Sequence, residues 1–359
     1  MKNPFRAFGS SPGLQRSVAE TIERALASAG LRGGAGPAAR AAADAIEVPA
    51  RELKTAGPTG PAPSPAGGAW EPHHFQHAAG SRAYKLYRPV HTAAAPMLLV
   101  MLHGCTQSAH DFALGTGMNR LADEHGFLVV YPEQSPQANH SGCWNWFQPG
   151  DQQRGAGEPA VIAGIVGEVM ARHGVDGGRS VFVAGLSAGA AMGLVLGDTY
   201  PELFAAVGVH SGLPYGSAHD LPSALAAMKG GRGRAGRSAS AGRRVQHAQP
   251  LIVFHGDRDH TVQASNASAI VEQASEAYQR SGGQPLLASQ HSAQAPGGRR
   301  YTRTVYAPAA GPAHIESWLL HGAGHQWSGG DARGSHTDAK GPDASAQMLR
   351  FFQAVVSRP

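Results

Sequence analysis

Five short stretches of this chain are apolar at nearly every position: Met97-Leu98-Leu99-Val100-Met101-Leu102, Phe127-Leu128-Val129-Val130-Tyr131, Val181-Phe182-Val183-Ala184, Ala205-Ala206-Val207-Gly208-Val209 and Leu251-Ile252-Val253-Phe254. Successive side chains of a strand point to opposite faces, so a strand without polar alternation must be covered on both sides. A parallel sheet sandwiched between helices meets that condition. Helical patterns fall between the runs, at 112–125, 158–173 and 188–198, and the alternation predicts a doubly wound α/β sheet. Ser317-Trp318-Leu319-Leu320 is a further strand candidate, and a closing helix is expected over 344–356. No internal repeat is visible.

The rest of the chain is organised around this block. Of 359 residues 42% are apolar, enough for a substantial core, while 48 Gly and 25 Pro imply much loop. Leu14, Val18, Ile22 and Leu26 repeat at helical spacing until Gly30, so residues 1–30 read as a short amphipathic helix. Docking on the protein surface is its expected role, and anchoring to a membrane or partner is the alternative. Residues 31–68, rich in Gly, Ala and Pro, read as a disordered linker. The catalytic domain is expected over 69–359, with flexible insertions at 229–249 and 281–300.

Several function classes are disfavoured. No apolar run reaches the roughly 18 residues of a membrane-spanning helix. The net charge is +5, but Lys229, Arg232, Arg234, Arg237, Arg243 and Arg244 crowd one Gly/Ser-rich stretch. That stretch lacks interleaved aromatics and reads as a solvated loop, so no nucleic-acid partner is expected. Two cysteines, Cys105 and Cys143, exclude a disulfide scaffold and argue against a Cys-based zinc site. His255, His260, His321 and His325 do not stand at i,i+4 on a helix as zincin motifs do, the four-residue step from His321 to His325 being a Gly-rich loop, so no metal is expected, and no cofactor.

The strand 181–184 runs into Gly185-Leu186-Ser187-Ala188-Gly189, and a helix follows. G-x-S-x-G between strand and helix is the context in which a sharp turn lifts a serine hydroxyl above the sheet, marking Ser187 as a nucleophile of an α/β-hydrolase fold. Serine needs a histidine base oriented by a carboxylate, in the chain order Ser, acid, His. Asp257 and Asp259 follow the strand 251–254, where open parallel sheets carry their active sites, and both qualify as the acid. Glycines before His325 give a loop able to carry an imidazole over the serine; His321, closer to its strand, reads as buried structure. The oxyanion of the tetrahedral intermediate needs two N–H donors, expected from Ala188 and, beyond His103-Gly104, from Cys105.

Taken together, Leu102-His103-Gly104-Cys105-Thr106-Gln107, Cys143-Trp144-Asn145-Trp146-Phe147, Gly185-Leu186-Ser187-Ala188-Gly189, Val209-His210-Ser211-Gly212-Leu213-Pro214 and Gly322-Ala323-Gly324-His325-Gln326-Trp327-Ser328-Gly329-Gly330 resemble the polyhydroxybutyrate depolymerase family of esterases, akin to feruloyl and acetylxylan esterases. The resemblance covers about residues 80–355. It implies a Ser-Asp-His triad whose acid stands three residues before the valine of an H-G-x-x-D-x-x-V pattern, which selects Asp259, before Val262. It also implies that Cys105 pairs with Cys143. The implied substrate is a poly(3-hydroxybutyrate) or other hydroxyalkanoate polymer or oligomer; a feruloyl or acetylxylan ester is the alternative. A non-catalytic hydrolase-fold binding protein is the remote one, since such proteins usually lose a triad member and this chain keeps all three. Trp144, Trp146 and Trp327 are candidate walls of the acyl pocket, with core packing the alternative for each. The chain closes on its last helix without a separate substrate-binding module, which favours soluble oligomers or small esters over solid polymer. The family and the disulfide imply a secreted enzyme. Yet Glu20, Glu23 and Arg24 interrupt any apolar signal region, so cytoplasmic residence stays open.

Overall fold

The apolar runs become the middle of a ten-stranded sheet in the computed structural model, which describes residues 67–230 and 248–357. Six strands are parallel and adjacent in the order β4 (Leu128–Pro132), β3 (Leu98–Leu102), β5 (Val181–Leu186), β6 (Ala206–His210), β7 (Leu251–Gly256) and β10 (Ile315–Leu320). An antiparallel hairpin extends each edge: β1 (Ala69–His77) and β2 (Gly80–Arg88) beside β4, and β9 (Arg300–Ala307) and β8 (Leu287–Gln294) beside β10.

Strand pleating divides the core in two. Leu98, Val100, Leu102, Val181, Val183, Val207 and Val209 face one side, where they pack with α3 (Gly157–His173) and α4 (Ala188–Thr199). Leu99, Met101, Val129, Phe182, Ile252 and Phe254 face the other, against α1 (Ala109–Thr116), α2 (Met118–His125) and α7 (Ala344–Val356). Each fully buried aliphatic side chain contributes roughly 1.5–3 kcal/mol, so both faces demand apolar residues and the runs follow. Two further α-helices among the described residues are α5 (Leu221–Met228) and α6 (Ser265–Arg280).

Two expectations change. The helix expected over 112–125 is a pair, because Gly117 takes φ 62° and closes α1 before α2 begins. The stretch 281–300, expected to be a flexible insertion, instead carries β8 and the first residue of β9. Its backbone is satisfied by pairing while nearly every β8 side chain is exposed, so apolar patterning had nothing to reveal. The expected helix of 1–30, nearly all of the 31–68 linker and most of the basic stretch 229–249 lie outside the described residues. Among the described residues no helix is long and apolar enough to cross a membrane.

Candidate active site

The C-terminal ends of β3, β5, β6, β7 and β10 bring the candidate residues to one edge of the sheet. Ser187 stands between β5 and α4 with φ 57° and ψ −119°, a conformation that costs a non-glycine residue about 1–3 kcal/mol. Its surroundings hold it there. The Ser187 N–H donates to the His210 carbonyl at 2.9 Å, and its own carbonyl accepts from Ala191 N–H at 3.0 Å. A Cβ on Gly185 would lie 2.7 Å from the Leu102 carbonyl oxygen, and one on Gly189 would run into the same oxygen. The turn therefore tolerates no side chain at positions 185 and 189, two residues to either side of the half-buried serine.

Two loops away, Asp259 and His325 form a buried pair, the Asp259 Oδ2 to His325 Nδ1 distance being 2.7 Å. The other carboxylate oxygen accepts the N–H groups of Thr261 (3.0 Å) and Val262 (2.8 Å), which fixes the acid's direction. Burial pushes the Asp259 carboxyl up. The neighbouring His325 charge and hydrogen bond, with help from His255 and the Val262 amide, outweigh it and hold the carboxyl below its ordinary value. Asp257 is engaged elsewhere. It meets His321 Nδ1 at 3.1 Å and accepts from Gly322 N–H at 2.7 Å, while His321 Nε2 lies 2.9 Å from Thr302 Oγ1. His321, expected to be buried, is partly exposed because this pair sits at the surface. No hydrogen bond joins the Ser187 hydroxyl to His325 among the described residues.

The loop after β3 is braced from several directions. Gly104 N–H donates to Gln107 Oε1 at 3.0 Å and Thr106 N–H to the Ser141 carbonyl at 2.8 Å. A disulfide joins Cys105 to Cys143, as the resemblance implied. Trp144 Nε1 donates to the His103 carbonyl at 3.1 Å. The amides of Cys105 and Ala188, the latter opening α4, have no hydrogen-bond partner among the described residues.

The family model described as "Esterase PHB depolymerase" matches residues 82–282, more than half of the chain. The chain belongs to this family. The poly(3-hydroxyalkanoate) depolymerase C of Paucimonas lemoignei is 36% identical over 243 residues, 65% of this chain and 55% of that protein. A probable acetylxylan esterase A of Aspergillus fumigatus is 39% identical over 132 residues, 36% of this chain and 34% of that protein. The chain thus spans about half the length of the first relative and a third of the second. An acetyl xylan esterase from Aspergillus awamori shares the fold with a TM-score of 0.58 at 23% identity, over 76% of this chain and 94% of that one. The architecture is the α/β-hydrolase fold.

In this PHB depolymerase family chain the tryptophans do not line an open wall. Trp144 is 0%, Trp327 1% and Trp146 7% exposed. Trp327 donates its Nε1–H to Ser345 Oγ (3.1 Å), and Trp146 packs edge-on against Phe147. Trp144 and Trp327, with their Nε1–H groups satisfied inward, pack as core side chains, and Trp146 is nearly buried against Phe147. Sequence reasoning missed three residues of the site's support. His103 accepts from Gln134 N–H at 3.1 Å. Gln107 holds the Gly104 amide while its own Nε2 donates to Asp111 Oδ2 (2.9 Å). His210 lies buried between the nucleophile turn and the His325 loop. All three stand inside the quoted motifs, but residue type alone does not say that their polar atoms turn inward. Among the described residues no group of three or more His, Cys, Asp or Glu is arranged to hold a metal ion.

Proposed function

We propose that this chain is a serine carboxylic-ester hydrolase that cleaves hydroxyalkanoate esters through an acyl-enzyme. The observation carrying the reading is the buried 2.7 Å Asp259–His325 pair at the sheet edge that also bears the strained Ser187 turn. In the first half-reaction Ser187 Oγ attacks the ester carbonyl carbon while its proton passes to His325 Nε2. Asp259 keeps the other imidazole nitrogen protonated and stabilises the imidazolium. The Cys105 and Ala188 amides receive the oxyanion, and the alcohol departs with the proton from His325. Water then repeats the sequence on the acyl-enzyme, freeing the acid and Ser187.

The likeness to a poly(3-hydroxyalkanoate) depolymerase supports polymers or oligomers of hydroxyacids as the substrate. A second reading, an acetylxylan or feruloyl ester, has support in the 39% identity to a probable acetylxylan esterase. A substrate panel separates them: poly(3-hydroxybutyrate), its soluble oligomers, acetylated xylan and feruloyl esters, with Ser187→Ala protein as blank. Release of 3-hydroxybutyrate units supports the first reading, and release of acetate or ferulate the second. Turnover surviving in Ser187→Ala would reject the mechanism.

A further inference from the structure

His210 ends β6, where it pairs in register with Leu186, the residue before the candidate nucleophile. Its backbone carbonyl is the acceptor for the Ser187 N–H. Its ring, wholly buried, points the other way. It stacks on Phe254 at 5.8 Å and on Trp327 at 5.2 Å between centroids, and Nε2 lies 3.1 Å from the Ser328 nitrogen. An amide N–H only donates, so Nε2 must offer a lone pair and Nδ1 must carry the proton, 3.2 Å from Ser211 Oγ. Trp327 and Ser328 directly follow His325-Gln326. One residue therefore grips the nucleophile turn with its main chain and the base-bearing loop with its ring.

We propose that His210 is a positioning residue, whose neutral Nδ1–H imidazole sets the His325 loop against the Ser187 turn. This rests on the triad reading above. Burial, with repulsion from His255 and His325, drives its pKa down to about 3, so the lone pair on Nε2 persists at working pH. Its two ring nitrogens face Ser211 and Ser328, so the ring acts through the loop that carries His325.

The test compares His210→Phe, which keeps the stacking but loses the acceptor, with His210→Gln, whose amide oxygen can reach the Ser328 N–H. Hydrolysis of p-nitrophenyl butyrate gives kcat and KM separately. His210→Phe is expected to lower kcat by about 10- to 100-fold, the scale of a misplaced catalytic group, with KM little changed. His210→Gln should recover most of that loss. In wild-type protein, nitrogen-15 NMR should find His210 neutral and protonated on Nδ1 between pH 5 and 9, its signals assigned by their absence from His210→Gln. An Nε2–H or charged His210, or a folded His210→Phe with wild-type kcat, overturns the proposal. An inactive wild type or an active Ser187→Ala would instead overturn the triad reading, while the NMR result would still report whether the ring grips the loop.

Discussion

Replacing Asp259 by asparagine changes one atom of the candidate site and inverts a hydrogen bond. Oδ1 of Asp259 accepts two backbone N–H groups, so the asparagine oxygen must take that place. The new amide NH2 then faces His325 Nδ1 from about the present 2.7 Å. Two donors cannot share that contact, so the imidazole moves its proton to Nε2 and presents an N–H to Ser187 instead of a lone pair. Loss of the correct tautomer and of the charge that stabilises the imidazolium costs about 10³–10⁴ in kcat. At 1.36 kcal/mol per tenfold this is about 4–5.4 kcal/mol of barrier. Asp257→Asn disturbs only a partly exposed pair of the kind worth about 0.2–1 kcal/mol, so its effect should stay below about fivefold. Initial rates on p-nitrophenyl butyrate, with thermal unfolding to check the fold, measure both. An Asp259→Asn enzyme keeping a tenth of wild-type kcat, or an Asp257→Asn enzyme that is the worse of the two, would refute the argument.

Other expectations follow from the packing. The Cys105–Cys143 bridge closes a loop with a sequence separation of 38, worth about 4 kcal/mol in the chain-entropy model; guanidinium unfolding of the Cys105→Ala/Cys143→Ala protein should reveal that loss, and a change below 1 kcal/mol would mean that the bridge is idle. Gly189→Val drives a side chain into the Leu102 carbonyl, so it should abolish turnover and soluble yield together, and an active variant would contradict the contact. Burial raises the Glu316 carboxyl, but Arg303 and Arg350 outweigh it and hold the group below the ordinary 4.5. A depressed carboxylate contributes stability above its unfolded pKa and loses it as pH falls through the folded one. Glu316→Gln should therefore cost about 2 kcal/mol at pH 7, the scale of hydrogen bonds to a charged group, with wild type and variant converging below pH 4.5. A gap in Tm that is the same at pH 3.5 and pH 7 would reject that assignment.

The parallel middle of the sheet could be read directly, because strands covered on both faces must be apolar throughout. Its edges could not. β2 alternates buried and half-buried positions, β1 is rich in histidine, and β8 exposes nearly everything, so the three share no hydrophobic signature. At the site, a strand-to-helix glycine motif was enough to single out Ser187, since few sequences fit so tight a turn. Choosing between Asp257 and Asp259 was different. Both follow β7, and residue type leaves them level; the resemblance selects Asp259, and their partners differ in the same sense, His321 at the surface for Asp257 and His325 inside for Asp259. The tryptophans show the same limit, because an indole beside a catalytic motif suits a core and a ligand wall equally well until its Nε1 partner is known.

The contact of Gly185 and Gly189 with the Leu102 carbonyl ties the nucleophile turn to the strand that leads into the Cys105 loop. The candidate nucleophile and the candidate oxyanion loop are thus indexed to each other through one main-chain carbonyl, with the Gln107, Trp144 and disulfide contacts fixing the loop beyond it. A shift of β3 would therefore press on the nucleophile turn as well as on the loop that follows the strand. Diversification within such a scaffold becomes a matter of the rim loops, with reactivity inherited from the backbone and preference rewritten above it.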